Sequence, residues 1–432
     1  MDYKAHDIVF NRFIELFSEK KGEIETEEED FRSFHDFGYY LSRFYECPSL
    51  DDISCLESIS RKSSNIDFDN ILTIGYRKKM VDFLMTLEYS DDVLVVLSYI
   101  FYLFNINKHE FVVRFSDDGI IPILVGLYTK FTEIRVKIVK LFCIMMISNV
   151  LQYQNMIFEF FFSDALKYCS ILDPEMLEAG VNFLYYSSKY MLKLTESQIT
   201  QIIRAVTVAS TSHRDSIILV SFWTIHDLFL SFHNIRLELS QTSIVFNMLN
   251  LLERDNIEIV LLMIKIFNLM FTHDGIHIQV IPIELLIKSM VSLVYNNDNN
   301  QIRFDSIITL NKIMHYSYET YEIACKEDIF NLIDTLIVSG SMLCKKAATK
   351  LYIDTLYQCP PDFIDFIVDH KCFNSVIDIS VEIEDSFTEQ FANALCDALD
   401  KSKHLEEIIS QSETLRDIIY SVNPTKINSL LK

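Results

Sequence analysis

The feature of this sequence that most restricts its fold is an internal repeat of about forty residues. Apolar stretches with helical spacing end in a polar break, and a long helix is predicted to begin after each break. The breaks lie near Asp92, Glu133, Glu175, Arg214, Asn256, Asn300, Met342 and Ser386. Their successive spacings are 41, 42, 39, 42, 44, 42 and 44 residues. This regular period indicates one structural unit used many times.

One unit shows why each repeat should be a small group of helices. Lys108–Phe115 has the pattern of a short helix, and the turn Ser116-Asp117-Asp118-Gly119 leads into a second helix. Pro122 is tolerated there because its missing N–H would be unpaired at a helix start. A third helix is expected after Thr132-Glu133. Helical units with a period of roughly 40–47 residues are typical of armadillo and HEAT repeats. We therefore predict an all-α, armadillo/HEAT-type right-handed α-solenoid of about eight to nine repeats.

The composition favours helices and offers no catalytic motif. The 432 residues include only 8 glycines and 7 prolines, fewer than sheet-rich folds and phosphate-binding loops usually need. No GxGxxG, P-loop, GxSxG or HExxH spacing occurs. His273 and His277 are four residues apart, but Gly275 predicts that the helix has already ended. We expect no enzymatic activity, no cofactor and no metal site.

The charge and the cysteines restrict the partners and the compartment. Lys and Arg number 38 against 61 Asp and Glu, which gives a net charge of −23. Such a field repels nucleic acids and anionic membranes and attracts basic partners, although acidity can also serve solubility alone. Nine scattered cysteines without a CxxC pair indicate reduced thiols, and the apolar stretches are too short to span a bilayer. We expect a cytoplasmic and/or nuclear protein that binds proteins or extended basic peptides.

Three regions are expected along the chain. Residues 1–50 form an acidic N-terminal helical segment and linker, residues 51–421 form the armadillo-repeat solenoid, and residues 422–432 form a C-terminal tail. Residues 1–46 hold six Lys or Arg and twelve Asp or Glu.

Two segments resemble importin α (karyopherin α). Ile66–Leu84 is similar to the start of the first repeat in that family, where an Asp-Asn-Ile opening leads to a glycine turn and a helix ending in Phe-Leu. Phe111–Leu127 is similar to the next junction, where a Gly-Ile-Pro turn opens a helix. The resemblance is good over Leu56–Ser148 and continues at the level of the repeat through Ser421. It implies an armadillo fold and a nuclear import adaptor that recognises basic peptide signals on a concave groove.

The resemblance also implies candidate peptide-binding residues. In importin α, Trp and Asn four residues apart on the third helices hold the peptide. The single tryptophan here, Trp223, lies four residues before Asp227, and Asn268 and Asn311 fall near the Asn position of the family. Core packing is the alternative role for Trp223, and capping or solvation for the asparagines.

Two features of the family pattern are missing. Most of the Trp-Asn ladder is not present, and the basic segment that recruits importin β is not visible in residues 1–46. The alternative function is an armadillo scaffold for cytoskeletal, signalling or degradation complexes, and an enzyme with a non-local site is the third.

Overall fold

The fold is taken from a computed structural model that describes residues 27–62, 68, 73–106, 108–147, 150–190, 193–232, 243–271, 281–383 and 385–430. Within these residues there are 24 helices and no strand, and the predicted all-α repeat solenoid is confirmed. The chain divides into two units, unit 1 (Met1–Leu228) and unit 2 (Phe229–Lys432). His273 and His277 lie outside the described residues.

Unit 1 contains eleven described helices, the last of which extends three residues beyond Leu228. They are α1 (Glu27–Glu46), α2 (Leu50–Lys62), α3 (Ile74–Thr86), α4 (Ser90–Ile106), α5 (Lys108–Asp117), α6 (Ile120–Lys130), α7 (Arg135–Met146), α8 (Leu151–Tyr168), α9 (Pro174–Tyr190), α10 (Glu196–Ala209) and α11 (Asp215–Ser231).

The long helices of unit 1 pack side by side in chain order. Helix α2 contacts α4, α4 contacts α7, and α7 contacts α9. Tyr99 on α4, Phe142 on α7 and Phe183 on α9 are fully buried. Since each of these helices covers the apolar face of the next, the core continues from repeat to repeat.

The corner between α5 and α6 is fixed by backbone conformation and by a buried ion pair. Gly119 adopts the left-handed conformation, with φ of 88°, which favours glycine because it has no Cβ. Arg77 on α3 donates from Nε to Oδ2 of Asp118 at 2.8 Å, and both side chains are nearly buried. Helix α5 runs two residues beyond its predicted end at Phe115, so the turn predicted at residues 116–119 is confined to Asp118 and Gly119. Through Asp118 this turn joins one repeat to the one before it.

Unit 2 contains thirteen described helices, whose bounds follow. They are α12 (Ile244–Leu251), α13 (Ile257–Met270), α14 (Ile283–Asn296), α15 (Asn300–Met314), α16 (Tyr318–Lys326), α17 (Ile329–Ser339), α18 (Met342–Gln358), α19 (Pro361–Asp369), α20 (Cys372–Ile383), α21 (Asp385–Leu399), α22 (Lys403–Gln411), α23 (Glu413–Val422) and α24 (Pro424–Leu430).

The long helices of unit 2 follow the same scheme. Helices α13, α15, α18, α21 and α23 each contact the next in the series. Their starts carry local signals, since Asn256, Asn299 and Ser341 accept hydrogen bonds from the first free backbone N–H groups of α13, α15 and α18. Polar residues at the breaks in the sequence thus begin these helices.

Eight helices were predicted from the polar breaks in the sequence, and we call them the third helices. Each predicted start is confirmed within two residues by a helix that begins at Ser90, Arg135, Pro174, Asp215, Ile257, Asn300, Met342 or Asp385. These are α4, α7, α9 and α11 in unit 1 and α13, α15, α18 and α21 in unit 2.

The limits of the three predicted regions stay predictions. Helix α1 lies in the predicted N-terminal segment and contacts α2 and α3, and α24 lies in the predicted tail and contacts α23. In the part of the chain that the structure describes, no helix is long and apolar enough to cross a membrane.

Candidate functional site

A row of amide and carboxylate side chains crosses the third helices of unit 2. Asn268 on α13, Asn311 on α15, Asp354 on α18 and Asp397 on α21 follow one another at intervals of 43 residues. Because these helices pack side by side in this order, one residue from each repeat reaches the same surface. We call this set the polar row.

The two predicted asparagines bond to neighbouring third helices. Asn268 donates from Nδ2 to Oγ1 of Thr309 at 3.5 Å and accepts from Nζ of Lys312 at 2.6 Å. Asn311 donates from Nδ2 to Oδ2 of Asp354 at 2.8 Å. Both asparagines are half-buried. The polar row therefore links one repeat to the next, and it still presents polar atoms at the surface.

Asp354 is the most strongly held carboxylate of the row. Its Oδ2 accepts from Asn311, and its Oδ1 accepts from Nζ of Lys350 at 2.8 Å. The same ammonium group donates to Oε1 of Gln390 on α21 at 2.9 Å. The carboxylate is thus oriented on both sides before any partner arrives.

An open groove of about 580 Å³ lies beside Asp354, between α18, α21 and α24. It is lined by Lys350, Ile353, Asp354, Tyr357, Gln390, Asn393, Cys396, Asp397, Asp400 and Lys426. Tyr357 is 52% exposed, so the groove combines an accessible aromatic ring with carboxylates. At one end, Lys426 on α24 donates to Asp400 at 2.8 Å and to the carbonyl oxygen of Cys396.

The chain around this groove is strongly acidic. Residues 351–400 contain eleven Asp or Glu and a single basic residue, Lys371. This stretch includes the last eight residues of α18 and all of α19, α20 and α21. An excess of negative charge of this kind favours the approach of cationic groups.

Three buried polar atoms lie without a hydrogen-bond partner in the described part of unit 2 around Asp354. They are Oδ1 of Asn311, Nε2 of His315 and the hydroxyl of Tyr321. Burial raises the pKa of Tyr321, and the charges of Cys359 and Asp354 act in the same direction. Burial lowers the pKa of His315, while the nearby Asp354 acts against that shift. Both groups are therefore neutral at physiological pH.

The predicted tryptophan lies in unit 1 and is mostly buried. Every residue from Ile217 to Leu228 on α11 is buried, and Trp223 keeps 8% exposure. Its ring packs edge-on against His226, with 5.0 Å between the ring centroids. Ile264 and Ile307, which stand four residues before Asn268 and Asn311, are fully buried in unit 2.

Asp227 is a buried carboxylate in an aromatic environment. Its Oδ1 lies 3.1 Å from Nδ1 of His226, and its Oδ2 has no hydrogen-bond partner among the described residues. Burial first, and then the charge of Asp227, raises the pKa of both Tyr185 and Tyr190. The ammonium group of Lys189 lies 5.5 Å from the Tyr185 ring centre and 5.6 Å from that of Tyr190.

The four predicted site residues are divided between the two units. Trp223 and Asp227 belong to unit 1, and Asn268 and Asn311 belong to unit 2.

The described residues form an all-α solenoid of helical repeats. No protein-family model matches the sequence, and a search of curated proteins finds no relative. Among solved structures, an engineered protein from the Northeast Structural Genomics Consortium matches 91% of this chain and 97% of its own, with 14% identity and a TM-score of 0.66.

Two designed armadillo structures are also similar. A computationally designed armadillo repeat protein for modular peptide recognition covers 54% of this chain and 97% of its own length, with 11% identity and a TM-score of 0.45. A designed armadillo repeat protein in complex with the peptide (KR)4 covers 62% of this chain and 98% of its own, with 11% identity and a TM-score of 0.39.

Two thiols of unit 2, Cys359 and Cys372, are poor nucleophiles at neutral pH. All nine cysteines are unpaired, and burial raises the pKa of Cys359 to about 11 and that of Cys372 to about 12. Thiolates, rather than thiols, attack electrophiles and bind metals. Within the described ranges, no group of three or more His, Cys, Asp or Glu side chains could hold a metal ion.

Sequence analysis missed the acidic half of the polar row. Asp354 and Asp397 continue the 43-residue interval set by Asn268 and Asn311, so the interval alone could have found them. Neither aspartate has a tryptophan four residues before it, whereas Asp227 follows Trp223 at that spacing. Lys350, Gln390 and Lys426 give no comparable signal, since their positions depend on how neighbouring repeats pack.

Proposed function

We propose that this protein is a non-catalytic adaptor that binds an extended, Lys- or Arg-containing segment of another protein along the polar row. The observation that carries the proposal is the repeat-equivalent placement of Asn311, Asp354 and Asp397 beside an open groove. Carboxylates accept charge-assisted hydrogen bonds from ammonium and guanidinium groups. Amides can bond to the backbone of an extended peptide, which suits Asn268 and Asn311.

The dimensions of the repeat support an extended ligand. Packed helices lie roughly 8–10 Å apart, and an extended chain advances about 3.3 Å per residue. One repeat therefore corresponds to about two to three residues of ligand. A segment with basic residues at that interval would meet successive acidic positions of the row, here Asp354 and Asp397.

Trp223 and Asp227 form a second proposed contact, confined to unit 1. The buried Oδ2 of Asp227, which has no hydrogen-bond partner among the described residues, supports it because such an atom gains from a donor. The half-buried ring of Tyr190 borders the same region.

Nuclear import is the more specific form of the proposal, and it rests on the resemblance of residues 66–84 and 111–127 to importin α. The alternative is an armadillo scaffold for cytoskeletal, signalling or degradation complexes. Purified importin β separates the two, because direct binding to the full-length chain favours the import adaptor. No binding, combined with intact peptide binding, favours the scaffold.

The test of peptide binding is fluorescence anisotropy with a labelled Lys/Arg-rich peptide. We expect the double variant Asp354→Asn, Asp397→Asn to bind about tenfold more weakly, which corresponds to about 1.4 kcal/mol. The matched control is Asp362→Asn, Asp378→Asn, which removes two charges from exposed positions outside the groove. An equal loss in both double variants would contradict a site at the polar row.

A further inference from the structure

The groove between α18 and α21 already holds a cation of its own. Nζ of Lys350 lies 2.8 Å from Oδ1 of Asp354 and 2.9 Å from Oε1 of Gln390. These acceptors come from two successive third helices, and both line the groove. The ammonium group of Lys350 therefore stands where a basic side chain of a partner would find its acceptors.

Lys350 is held loosely enough to be displaced. Its side chain is 42% exposed, and its carboxylate partner lies one helical turn away on the same helix. Exposed ion pairs of this kind contribute little to stability. Asp354 keeps its second hydrogen bond, from Asn311, when Lys350 leaves. The acceptor thus stays oriented while its resident donor swings into solvent.

Lys426 shows what a fixed lysine in the same groove looks like. Its side chain is 22% exposed, and it bonds to both Asp400 and the carbonyl oxygen of Cys396. These contacts tie α24 to the end of α21. Lys426 is therefore part of the groove wall, whereas Lys350 lies on the groove surface.

We propose that Lys350 is a built-in competitor that limits the affinity of the groove for basic ligands. A partner cation must first separate Lys350 from Asp354 and Gln390, so each binding event exchanges one cation for another. This inference rests on the proposed function of the polar row and adds a residue that sets its affinity. Removal of the Lys350 charge alone, with the rest of the site unchanged, should therefore strengthen binding of a basic ligand.

The test uses the full-length chain with Lys350→Met, Lys350→Gln and the matched control Lys345→Met. Lys345 lies on the same helix and bonds to the carbonyl oxygen of Val338, outside the groove lining. All three variants remove one positive charge, so a general field effect would change them equally. Anisotropy with the same Lys/Arg-rich peptide is measured after circular dichroism has confirmed equal helicity.

We expect both Lys350 variants to bind at least fivefold more tightly than wild type, and Lys345→Met to stay within twofold. Equal tightening in all three variants, or weaker binding after loss of Lys350, would overturn the competitor role. In that case, weaker binding by Asp354→Asn, Asp397→Asn would still support the proposed function. If neither the wild type nor the Lys350 variants bind the peptide, both proposals fall.

Discussion

At the scale of single residues, two histidines of unit 2 have opposite relations to pH. His315 is half-buried at the end of α15, where burial lowers its pKa; Asp354 opposes this shift and Lys350 adds to it. His404 is exposed, and its hydrogen bond to Oδ1 of Asp369 at 2.6 Å raises its pKa. A histidine titrates near 6.5 in an unfolded chain. Protonation of His315 therefore destabilises the folded state, whereas protonation of His404 stabilises it.

We predict that His315→Gln and His404→Gln change the pH dependence of stability in opposite directions. Below pH 6.5 the unfolded state binds a proton at residue 315 more readily than the native state, so wild type loses stability as the pH falls. His315→Gln should remove that loss. The His404 contribution is present below pH 6.5 and disappears as the pH rises through its native pKa, so His404→Gln should destabilise the protein at pH 5.5 more than at pH 8. Urea unfolding of each variant at both pH values is the measurement, and parallel changes would contradict the assignment.

Trp223 and Asp227 show which features of a site can be predicted from the sequence. The four-residue spacing to Asp227 is local and places both residues on one side of a helix. Which side faces solvent is not local, because α11 is apolar almost all round and is buried along twelve consecutive residues. Similarly, the bonds of Asn268 to Lys312 and of Asn311 to Asp354 join residues 44 and 43 apart. Such pairs depend on the packing of whole repeats.

At the scale of the helix, the glycine that precedes α6 and the glycine inside α6 have different roles. Gly119 has a positive φ, and a Cβ there would meet no atom within 4 Å. Gly126 lies at an exposed position inside α6, also with open space around it. A corresponding corner in unit 2 has Asp328, with φ of 61°, between α16 and α17. The backbone, and not crowding, therefore decides what each position tolerates.

We predict opposite effects for alanine at the two glycines. Gly119→Ala should destabilise the protein by about 1–2 kcal/mol, because an L-residue is strained in the left-handed region. Gly126→Ala should stabilise it by about 0.5–1 kcal/mol, because glycine is costly in a helix interior. Chemical denaturation of the two variants measures both. A stabilising Gly119→Ala would mean that the corner can change its conformation freely.

The helices could be predicted from the sequence because their signals are short-range. Polar breaks, caps such as Asn256 and Ser341, and apolar spacing each involve only a few neighbouring residues. The starts of the third helices were therefore found within two residues. The sequence did not reveal the division at Leu228 and Phe229, because no change in composition or spacing marks it.

At the scale of the whole molecule, charge is the dominant long-range property. The net charge of −23 makes the folded chain repel itself, and residues 351–400 concentrate that effect. Salt shortens the range of such repulsion from about 30 Å at 0.01 M to about 8 Å at 0.15 M. The same screening should weaken the capture of a basic ligand. Stability and affinity should thus respond to salt with opposite signs.

We predict that raising NaCl from about 10 mM to about 150 mM increases the thermal unfolding midpoint by about 2–4 °C, as a gain of roughly 1 kcal/mol would in a domain of 150–250 residues. Differential scanning calorimetry measures the shift. Near pH 4.8, where the net charge approaches zero, the effect should vanish. A lower midpoint at the higher salt concentration would show that attractive ion pairs outweigh the net repulsion.

The constant interval of the polar row has a consequence for how a gene of this kind can change. Met342 begins α18 and Asp385 begins α21, 43 positions later, the same interval that separates Asn311, Asp354 and Asp397. An in-frame deletion of codons 343–385 would join Met342 to Ser386. Asp397 would then take the position of Asp354 and accept the hydrogen bond from the Asn311 amide. A duplication of the same codons would add one acidic position. The length of ligand that such a lineage recognises can therefore evolve in steps of one repeat, without the invention of a new surface.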